Sequence, residues 1–227
     1  MAEAARALGR HGPRRGLVAP AGPSADALRT LRLSVSAAAP AGSDRRCILF
    51  TSADPGAGKS TVAANYALVA SLSHQRVLLI DADLRQPALH EFFRVRRSPG
   101  LVDALGSEHG LRELVVRTTV SFGALDLLPA GEFVWRPGDL VSSPRMGEIL
   151  AEARTSYDLV VIDSPPLLSA PDAGGLAAHG DIDVLLVVRV TTKRRAVREA
   201  ARSLELIDVP LRGIVVNRHG RLSSYGY

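Results

Sequence analysis

The strongest constraint on the fold is a series of short apolar runs that alternates with helical stretches from residue 46 onward. The runs are RCILFTS, RVLLIDAD, ALDLLPA, YDLVVIDS, DVLLVVRV and LRGIVVN. Because polar residues do not alternate within them, the strands that they predict are buried on both faces. Helices are predicted between them by KSTVAANYALVASLS, SPRMGEILAEAR, PDAGGLAAHG and KRRAVREAARSLELI. We therefore expect an α/β fold, with a predominantly parallel sheet covered by helices on both faces.

The chain divides into one domain and two terminal segments. Residues 1–23 are rich in Ala, Gly, Pro and Arg and have no hydrophobic period, which predicts a disordered basic tail. Ser24 is the expected N-cap of a helix, SADALRTLRLSVSAAA, that ends before Pro40. The domain is predicted to extend over residues 24–217, followed by a flexible C-terminal tail over 218–227.

Composition narrows the possible functions and the compartment. The formal net charge is +5, but nearly all the basic residues are arginines. This bias indicates that the charge reflects general amino-acid usage rather than nucleic-acid binding. The single cysteine, Cys47, excludes an internal disulfide or CxxC site and predicts a buried, inert thiol. The sequence has neither a transmembrane-length apolar run nor the apolar segment of a signal peptide, so we expect a cytoplasmic protein.

A phosphate-binding loop follows the first core strand. The segment ADPGAGKST, residues 53–61, fits the Walker A pattern with alanine in its first position. Its glycines allow backbone N–H groups to face phosphate oxygens, and the following helix adds its positive end. A plain glycine turn would leave Lys59, one of only two lysines, unexplained. Nucleotide binding is predicted for Pro55, Gly56, Ala57, Gly58, Lys59, Ser60 and Thr61.

Three aspartates stand at predicted strand ends, where parallel sheets gather their chemistry. Asp81 and Asp83 close the run LLIDAD, and Asp163 closes LVVID as the expected Walker B carboxylate. Magnesium ligands are predicted to be Ser60, Asp83 and Asp163. A single such aspartate could be a helix cap or a turn residue.

Magnesium binding does not need all three carboxylates. The additional one indicates transfer of a phosphoryl group rather than nucleotide binding alone. A phenol with an ordinary pKa of about 10 is a better phosphoryl acceptor when a base takes its proton. We assign Asp81 as the base and Asp83 as the metal ligand, although the two roles could be exchanged. With Lys59 and Asp163, they form the predicted catalytic set.

These motifs together resemble the bacterial tyrosine kinases, a P-loop family whose members autophosphorylate C-terminal tyrosines and regulate capsule and exopolysaccharide export. The resemblance rests on ADPGAGKSTVAAN, VLLIDADLRQPALHEFF, LLPAG, YDLVVIDSPPLLSAPDA and GIVVNR, in that order. It implies a P-loop NTPase-type sheet, ATP and Mg²⁺ as ligands, and Asn217 near the adenine. It also implies that Tyr225 and Tyr227 are the phosphate acceptors.

The resemblance also implies partners. The family's ring-assembly motif, Glu-x-x-Arg-x-x-Arg, is matched here by Asp26, Arg29 and Arg32, which implies a homo-oligomer. A solvated helix face is the alternative for these charges. The family further implies a transmembrane activator or polysaccharide co-polymerase that recruits the chain to the inner face of the cell membrane. A cognate phosphotyrosine phosphatase is implied as well.

This sequence departs from the family pattern at three places. Aspartate replaces the first glutamate of the assembly motif, and the segment VWRPGDLVSS has Arg136 where the family tends to have asparagine. The C-terminal tyrosine cluster has only two members. Trp135 is expected to be a packing or contact residue, and Tyr66 and Tyr157 are expected to be core or subsurface residues.

Two other functions remain compatible with a phosphate loop. A partition or positioning ATPase would carry a second lysine early in the loop, where this chain has Asp54. A regulatory module would bind ATP without transferring phosphate.

Overall fold

The computed structural model describes Leu17 and residues 22–38, 46–73, 75–106, 110–120 and 123–217. The rest of the predicted N-terminal tail lies outside these residues, and so does the whole C-terminal tail with Tyr225 and Tyr227. Leu17 is buried and packs against the same apolar cluster as Val35.

Strands and helices alternate along the chain much as the apolar runs predict. The strands are β1 (Arg46–Ser52), β2 (Val77–Asp81), β3 (Val116–Val120), β4 (Gly123–Leu128), β5 (Leu159–Asp163), β6 (Ile182–Arg189) and β7 (Leu211–Asn217). The longer helices are α1 (Pro23–Ala37), α2 (Lys59–Ser71), α7 (Pro144–Ser156) and α9 (Arg194–Glu205). The shorter ones are α3 (Leu89–Phe93), α4 (Leu101–Gly106), α5 (Leu111–Leu114), α6 (Pro137–Val141) and α8 (Asp172–Ala177).

The described strands form one seven-stranded sheet in the order β3-β4-β2-β5-β1-β6-β7. Every pairing is parallel except that of β3 with β4, so the prediction of a predominantly parallel sheet is confirmed. Parallel pairing brings the carboxyl ends of β1, β2 and β5 together, with Asp81 opposite Asp163 in the register. The phosphate loop and two strand-end carboxylates therefore meet at one edge.

Two apolar layers enclose the sheet. Alternate sheet residues such as Ile48 and Phe50 pack with α1, α2 and α3 on one face. Their neighbours, such as Cys47 and Leu49, pack on the other face with the cluster that includes α4 to α9. Cys47 is buried, and burial raises the pKa of its thiol to about 12, as expected for an inert core cysteine. None of the described helices is long and apolar enough to cross a bilayer.

The first helix begins differently from the prediction. Gly22 is its N-cap residue and Pro23 occupies the first turn, so the expected cap at Ser24 is wrong. Proline is favoured in a helical first turn because its missing N–H would have no partner there. The N-cap forms no side-chain hydrogen bond, and Ser24 lies inside the helix.

The sequence patterns did not predict β3 or the short helices between β2 and β4. The β3 segment, VRTTV, is short and polar, and Thr118 is buried only because its hydroxyl donates to the carbonyl of Leu125. Helices α3, α4 and α5 have four to six residues each, too few to give a hydrophobic period.

Helix α4 is fixed to the segment after β4 through a close backbone approach. The N–H groups of Leu101 and Val102 donate to the carbonyls of Pro129 and Ala130 at 2.7 and 2.9 Å. A methyl group at Gly100 would overlap the Pro129 carbonyl and lie 2.6 Å from the Gly131 nitrogen. Gly100 is therefore required by packing.

We expect Gly100→Ala to lower the free energy of unfolding by about 1–3 kcal/mol, because backbone atoms must move to admit the methyl group. Gly106→Ala, at the end of the same helix, is the matched control, since its methyl group would meet nothing within 4 Å. The control should stay within about 0.5 kcal/mol of the wild type or exceed it. Urea denaturation measures both; equal losses would contradict the packing argument.

Candidate active site

The phosphate loop lies between the end of β1 and the start of α2, where the sequence predicted it. Gly56 and Gly58 adopt φ angles of 73° and 84°, which L side chains rarely adopt. Gly58 is the N-cap residue of α2, and no side chain makes a capping hydrogen bond there. The first N–H groups of the helix therefore remain available to an anion.

Lys59 joins the loop to two strand-end carboxylates. Its Nζ lies 2.7 Å from Oδ2 of Asp83 and 3.4 Å from Oδ1 of Asp163, and 3.2 Å from Oγ of Ser60. Both aspartates are buried, and the Lys59 residue is only 9% exposed. Three of the predicted site residues thus form one ionic cluster.

Asp81 is held in a different way, although it lies only two residues before Asp83. Its Oδ2 accepts hydrogen bonds from the N–H groups of Ala88 and Leu89 at 3.1 and 3.0 Å. Its Oδ1 is buried and has no hydrogen-bond partner among the described residues, and the same is true of Oδ2 of Asp163. One oxygen therefore fixes the orientation of Asp81, and the other remains available to a ligand.

Burial and the nearby charges shift the pKa values of the ionisable groups in this cluster. Burial raises the pKa of the Asp81 carboxyl far above its ordinary value, and the charge of Asp163 raises it further. Burial also raises the pKa of Asp163, against the opposing effect of Lys59. Burial lowers the pKa of Lys59, but Asp163 and Asp83 outweigh it, so its pKa is raised overall. Lys59 therefore keeps its proton and its positive charge in this site.

The residues fit a nucleotide and a magnesium ion. Left-handed glycines, an uncapped helix start and a buried lysine suit phosphates, and two partnerless carboxylate oxygens suit a hard cation. No cluster of three or more metal-ligating side chains occurs among the described residues. Mg²⁺ is usually bound through one or two carboxylates together with phosphates and water.

Asn217 reaches the phosphate loop from the last strand. Its Nδ2 donates to the carbonyl of Ala57 at 3.0 Å, and a methyl group on Gly58 would overlap the same amide. Sequence reasoning placed Asn217 near the adenine, and the structure places it against the loop backbone.

A second ionic contact lies beside the site and was not predicted from the sequence. Arg85, two residues after Asp83, forms a bidentate pair with Asp172 at the start of α8, with both N–O distances at 2.9 Å. Asp172 is 1% exposed, and a methyl group on Gly138 would lie 2.9 Å from its Oδ1. The pair joins the loop after β2 to α6 and α8. Nothing in the sequence connects residues so far apart in the chain.

The predicted assembly motif lies on α1, away from this cluster. Asp26 and Arg29 pair with each other at 2.7 Å, and both side chains are largely exposed. Arg32 is partly buried, and its Nε has no hydrogen-bond partner among the described residues. The spacing of three does place the first two charges on one helix face, as predicted.

Two of the aromatic residues singled out in the sequence are buried, and the third is exposed. Tyr66 and Tyr157 are buried, with relative exposures of 2% and 7%, which confirms their assignment to the core or its margin. Trp135 is 90% exposed and makes an edge contact with Phe133, at 5.5 Å between ring centroids. Trp135 is therefore a surface residue rather than a packing residue.

Comparison with known proteins gives consistent matches. A family model described as an AAA domain matches residues 45–208. The tyrosine-protein kinase YwqD of Bacillus subtilis is 34% identical over 201 residues, which cover 88% of this chain and 84% of YwqD. The tyrosine-protein kinase wzc of Salmonella typhimurium is 33% identical over 209 residues, or 89% of this chain, but the match spans only 28% of wzc.

A solved structure extends the similarity to three dimensions. The kinase domain of the Escherichia coli tyrosine kinase ETK superposes with a TM-score of 0.83 at 30% sequence identity. The superposition covers 97% of this chain and 88% of that domain. The α/β fold with its phosphate loop is thus shared over nearly the whole chain.

The raised pKa values predict a dependence of stability on pH. Folded Asp81 and Asp163 retain protons that the unfolded chain releases near pH 4, so stability should fall as pH rises above about 4. Asp81→Asn removes one titrating group and should make the fall shallower, by at most about 1.4 kcal/mol per pH unit. Urea denaturation in EDTA from about pH 5 to about pH 8 measures the slope. An unchanged slope would contradict the burial argument; Asp139→Asn, on the surface, is the control.

The pair of Arg85 with Asp172 predicts a second difference. Arg85→Ala leaves the carboxylate of Asp172 buried without its cation, and we expect a loss of about 2–3 kcal/mol. Arg76→Ala breaks a pair with Asp158 that is exposed on both sides, so it should cost less stability than Arg85→Ala. Thermal unfolding separates the two; a loss in Arg85→Ala no larger than in the control would show that the buried pair contributes little.

Proposed function

Because the chain belongs to the bacterial tyrosine-protein kinase family, we propose that it is an ATP-dependent protein-tyrosine autokinase. The observation that carries the proposal is the convergence of a phosphate loop with three buried aspartates. A binding loop requires one carboxylate for magnesium, and this site has Asp81, Asp83 and Asp163 around a single lysine. The surplus carboxylate gives the site a candidate base.

ATP and Mg²⁺ would be held by residues that already lie in position. The backbone of residues 55–58 and the start of α2 would bind the phosphates, and Lys59 would place its charge against the outer ones. Ser60, Asp83 and Asp163 would hold the magnesium ion, which supplies charge neutralisation at the phosphates when bound. Lys59 exchanges one set of anionic partners for another in this arrangement, so it remains protonated.

Asp81 is the proposed base. In the transfer, the phenolic oxygen forms a bond to the terminal phosphorus, the bond from that phosphorus to ADP breaks, and the phenolic proton passes to a carboxylate. Two backbone N–H groups orient Asp81, and its Oδ1 has no competing partner among the described residues. Both oxygens of Asp83 are already occupied, one by Lys59 and the other by the N–H of Gln86, which makes Asp83 the poorer candidate for the base.

Tyr225 and Tyr227 are the proposed acceptors, although they lie outside the described residues. The argument rests on where the described chain ends, because Asn217 contacts the phosphate loop itself. The ten residues that follow can span up to roughly 33 Å, enough to reach this site or that of a neighbouring copy. Phosphorylation would add about −1.5 to −2 charge to each tyrosine.

The regulatory setting is proposed from the family. It includes a homo-oligomer with contacts through Asp26, Arg29 and Arg32, and a transmembrane activator that brings the chain to the inner membrane face. It also includes a phosphotyrosine phosphatase and control of exopolysaccharide or capsule export. The exposure of Asp26 and Arg29 leaves both accessible to a second copy.

Incubation with labelled ATP and Mg²⁺, followed by mass spectrometry of the C-terminal peptide, tests the activity and the acceptors. We expect phosphotyrosine at residues 225 and 227, loss of labelling in Asp81→Asn with nucleotide binding retained, and loss in the double variant Tyr225→Phe, Tyr227→Phe. Tyr66→Phe is the control, because its buried phenol cannot reach a site.

Each alternative outcome of this experiment identifies a different function. ATP hydrolysis without protein labelling would indicate a positioning-type ATPase switch, and binding without hydrolysis would indicate a regulatory module. Labelling that persists in the double tyrosine variant would keep the kinase activity but refute the proposed acceptors.

A further inference from the structure

Helix α9 carries a stripe of arginines that the proposed activity does not use. Arg194, Arg195, Arg198 and Arg202 are all exposed, and their spacing places them on one side of the helix. The opposite side packs against the sheet through Ala200 and Leu204, which are both fully buried. The outward face of this helix carries these four arginines against the exposed carboxylates of Glu199 and Glu205, so it is cationic overall.

The stripe is unfavourable for the helix that carries it. Lys193 and the first two arginines stand at the positive end of the helix dipole, and the first turn contains no acidic residue. Arg198 also lies four residues from both Arg194 and Arg202, a spacing at which like charges repel. The high helix propensity of its Ala, Arg, Glu and Leu residues and the burial of its inner face keep α9 helical despite this repulsion.

No internal contact compensates this repulsion. Among the described residues, none of the four arginines makes an ion pair or a side-chain hydrogen bond. By contrast, arginines elsewhere on the surface, such as Arg76 and Arg117, pair with nearby aspartates. A local rule broken without compensation is expected at a functional surface.

Exposed aliphatic side chains lie beside the stripe. Ile214 and Val216 on edge strand β7 are 51% and 57% exposed, and Val190, just after β6, is 66% exposed. In the register, Ile214 and Val216 stand opposite Leu186 and Val188, which pack with Ala200 of α9. The apolar side chains and the arginines therefore share one side of the sheet.

We propose that α9 and the exposed edge of β7 form a docking surface for an anionic membrane. Clustered arginines attract acidic lipid headgroups, and adjacent aliphatic side chains can enter the boundary between headgroups and acyl chains. A surface for single-stranded nucleic acid would pair its cations with aromatic rings for base stacking. The exposed aromatic pair Phe133 and Trp135 instead follows β4, on the other half of the sheet.

Sedimentation of the full chain with vesicles tests this surface. We expect binding to vesicles of phosphatidylglycerol and phosphatidylcholine, none to phosphatidylcholine alone, and release by high salt. Because one basic residue near an anionic bilayer is worth about a fivefold change in binding, replacing the four arginines of the stripe by glutamine should reduce it several-hundred-fold. The matched control replaces four exposed arginines elsewhere, Arg76, Arg112, Arg117 and Arg136, by glutamine.

Folding of the variant is checked separately. Since the replacement removes repulsion between neighbouring arginines, the stripe variant should unfold at the same temperature as the wild type or at a higher one. A lower unfolding temperature would show that the arginines stabilise the fold, which contradicts the argument for an unsatisfied surface.

The remaining outcomes decide between lipid and other partners. Equal vesicle binding by the stripe variant and the control would overturn the proposal, as would the absence of binding by the wild type. Fluorescence anisotropy with labelled duplex DNA and single-stranded RNA provides the third arm. Binding to either that depends on α9 and exceeds vesicle binding would reassign the surface to nucleic acid.

Discussion

The ion pairs of Lys59 with Asp83 and Asp163 hold together segments that are far apart in the chain. The lysine begins α2, one carboxylate follows β2 and the other ends β5, so a single ammonium group connects the helix to two strands. Removing the charge of Lys59 would leave both carboxylates buried without a cation, which is costly in a protein interior. The glycine loop and the parallel register both serve to bring these three groups within contact distance.

The sequence predicted the parts of the molecule that repeat a simple physical pattern. Continuous apolar runs identified β1, β2, β4, β5, β6 and β7, and a glycine loop between a strand and a helix located the start of α2. The position of Asp81 and Asp163 at strand ends was enough to predict that they lie at one edge of the sheet, because parallel strands have their carboxyl ends at the same edge. Local chemistry was sufficient wherever a segment was long and its pattern was uniform.

The remaining features depend on contacts between distant segments. The antiparallel β3 is stabilised by pairing with β4, and the short helices of the β2 to β4 connection are held by backbone hydrogen bonds such as those of Leu101 and Val102. The pair of Arg85 with Asp172 has no signature in either local sequence. The different hydrogen-bond partners of Asp81 and Asp83 were equally unpredictable, since the sequence showed only that both stand at the end of one strand.

Asn217 adds a mechanical link to this arrangement. It is the last residue of β7, its amide donates to the carbonyl of Ala57, and the absence of a side chain at Gly58 makes room for that amide. The chain that continues beyond Asn217 is thus tethered at the rim of the phosphate loop. A ligand that moves the Ala57 carbonyl would therefore also disturb the end of β7, so occupancy of the phosphate loop and the position of the last strand would be coupled.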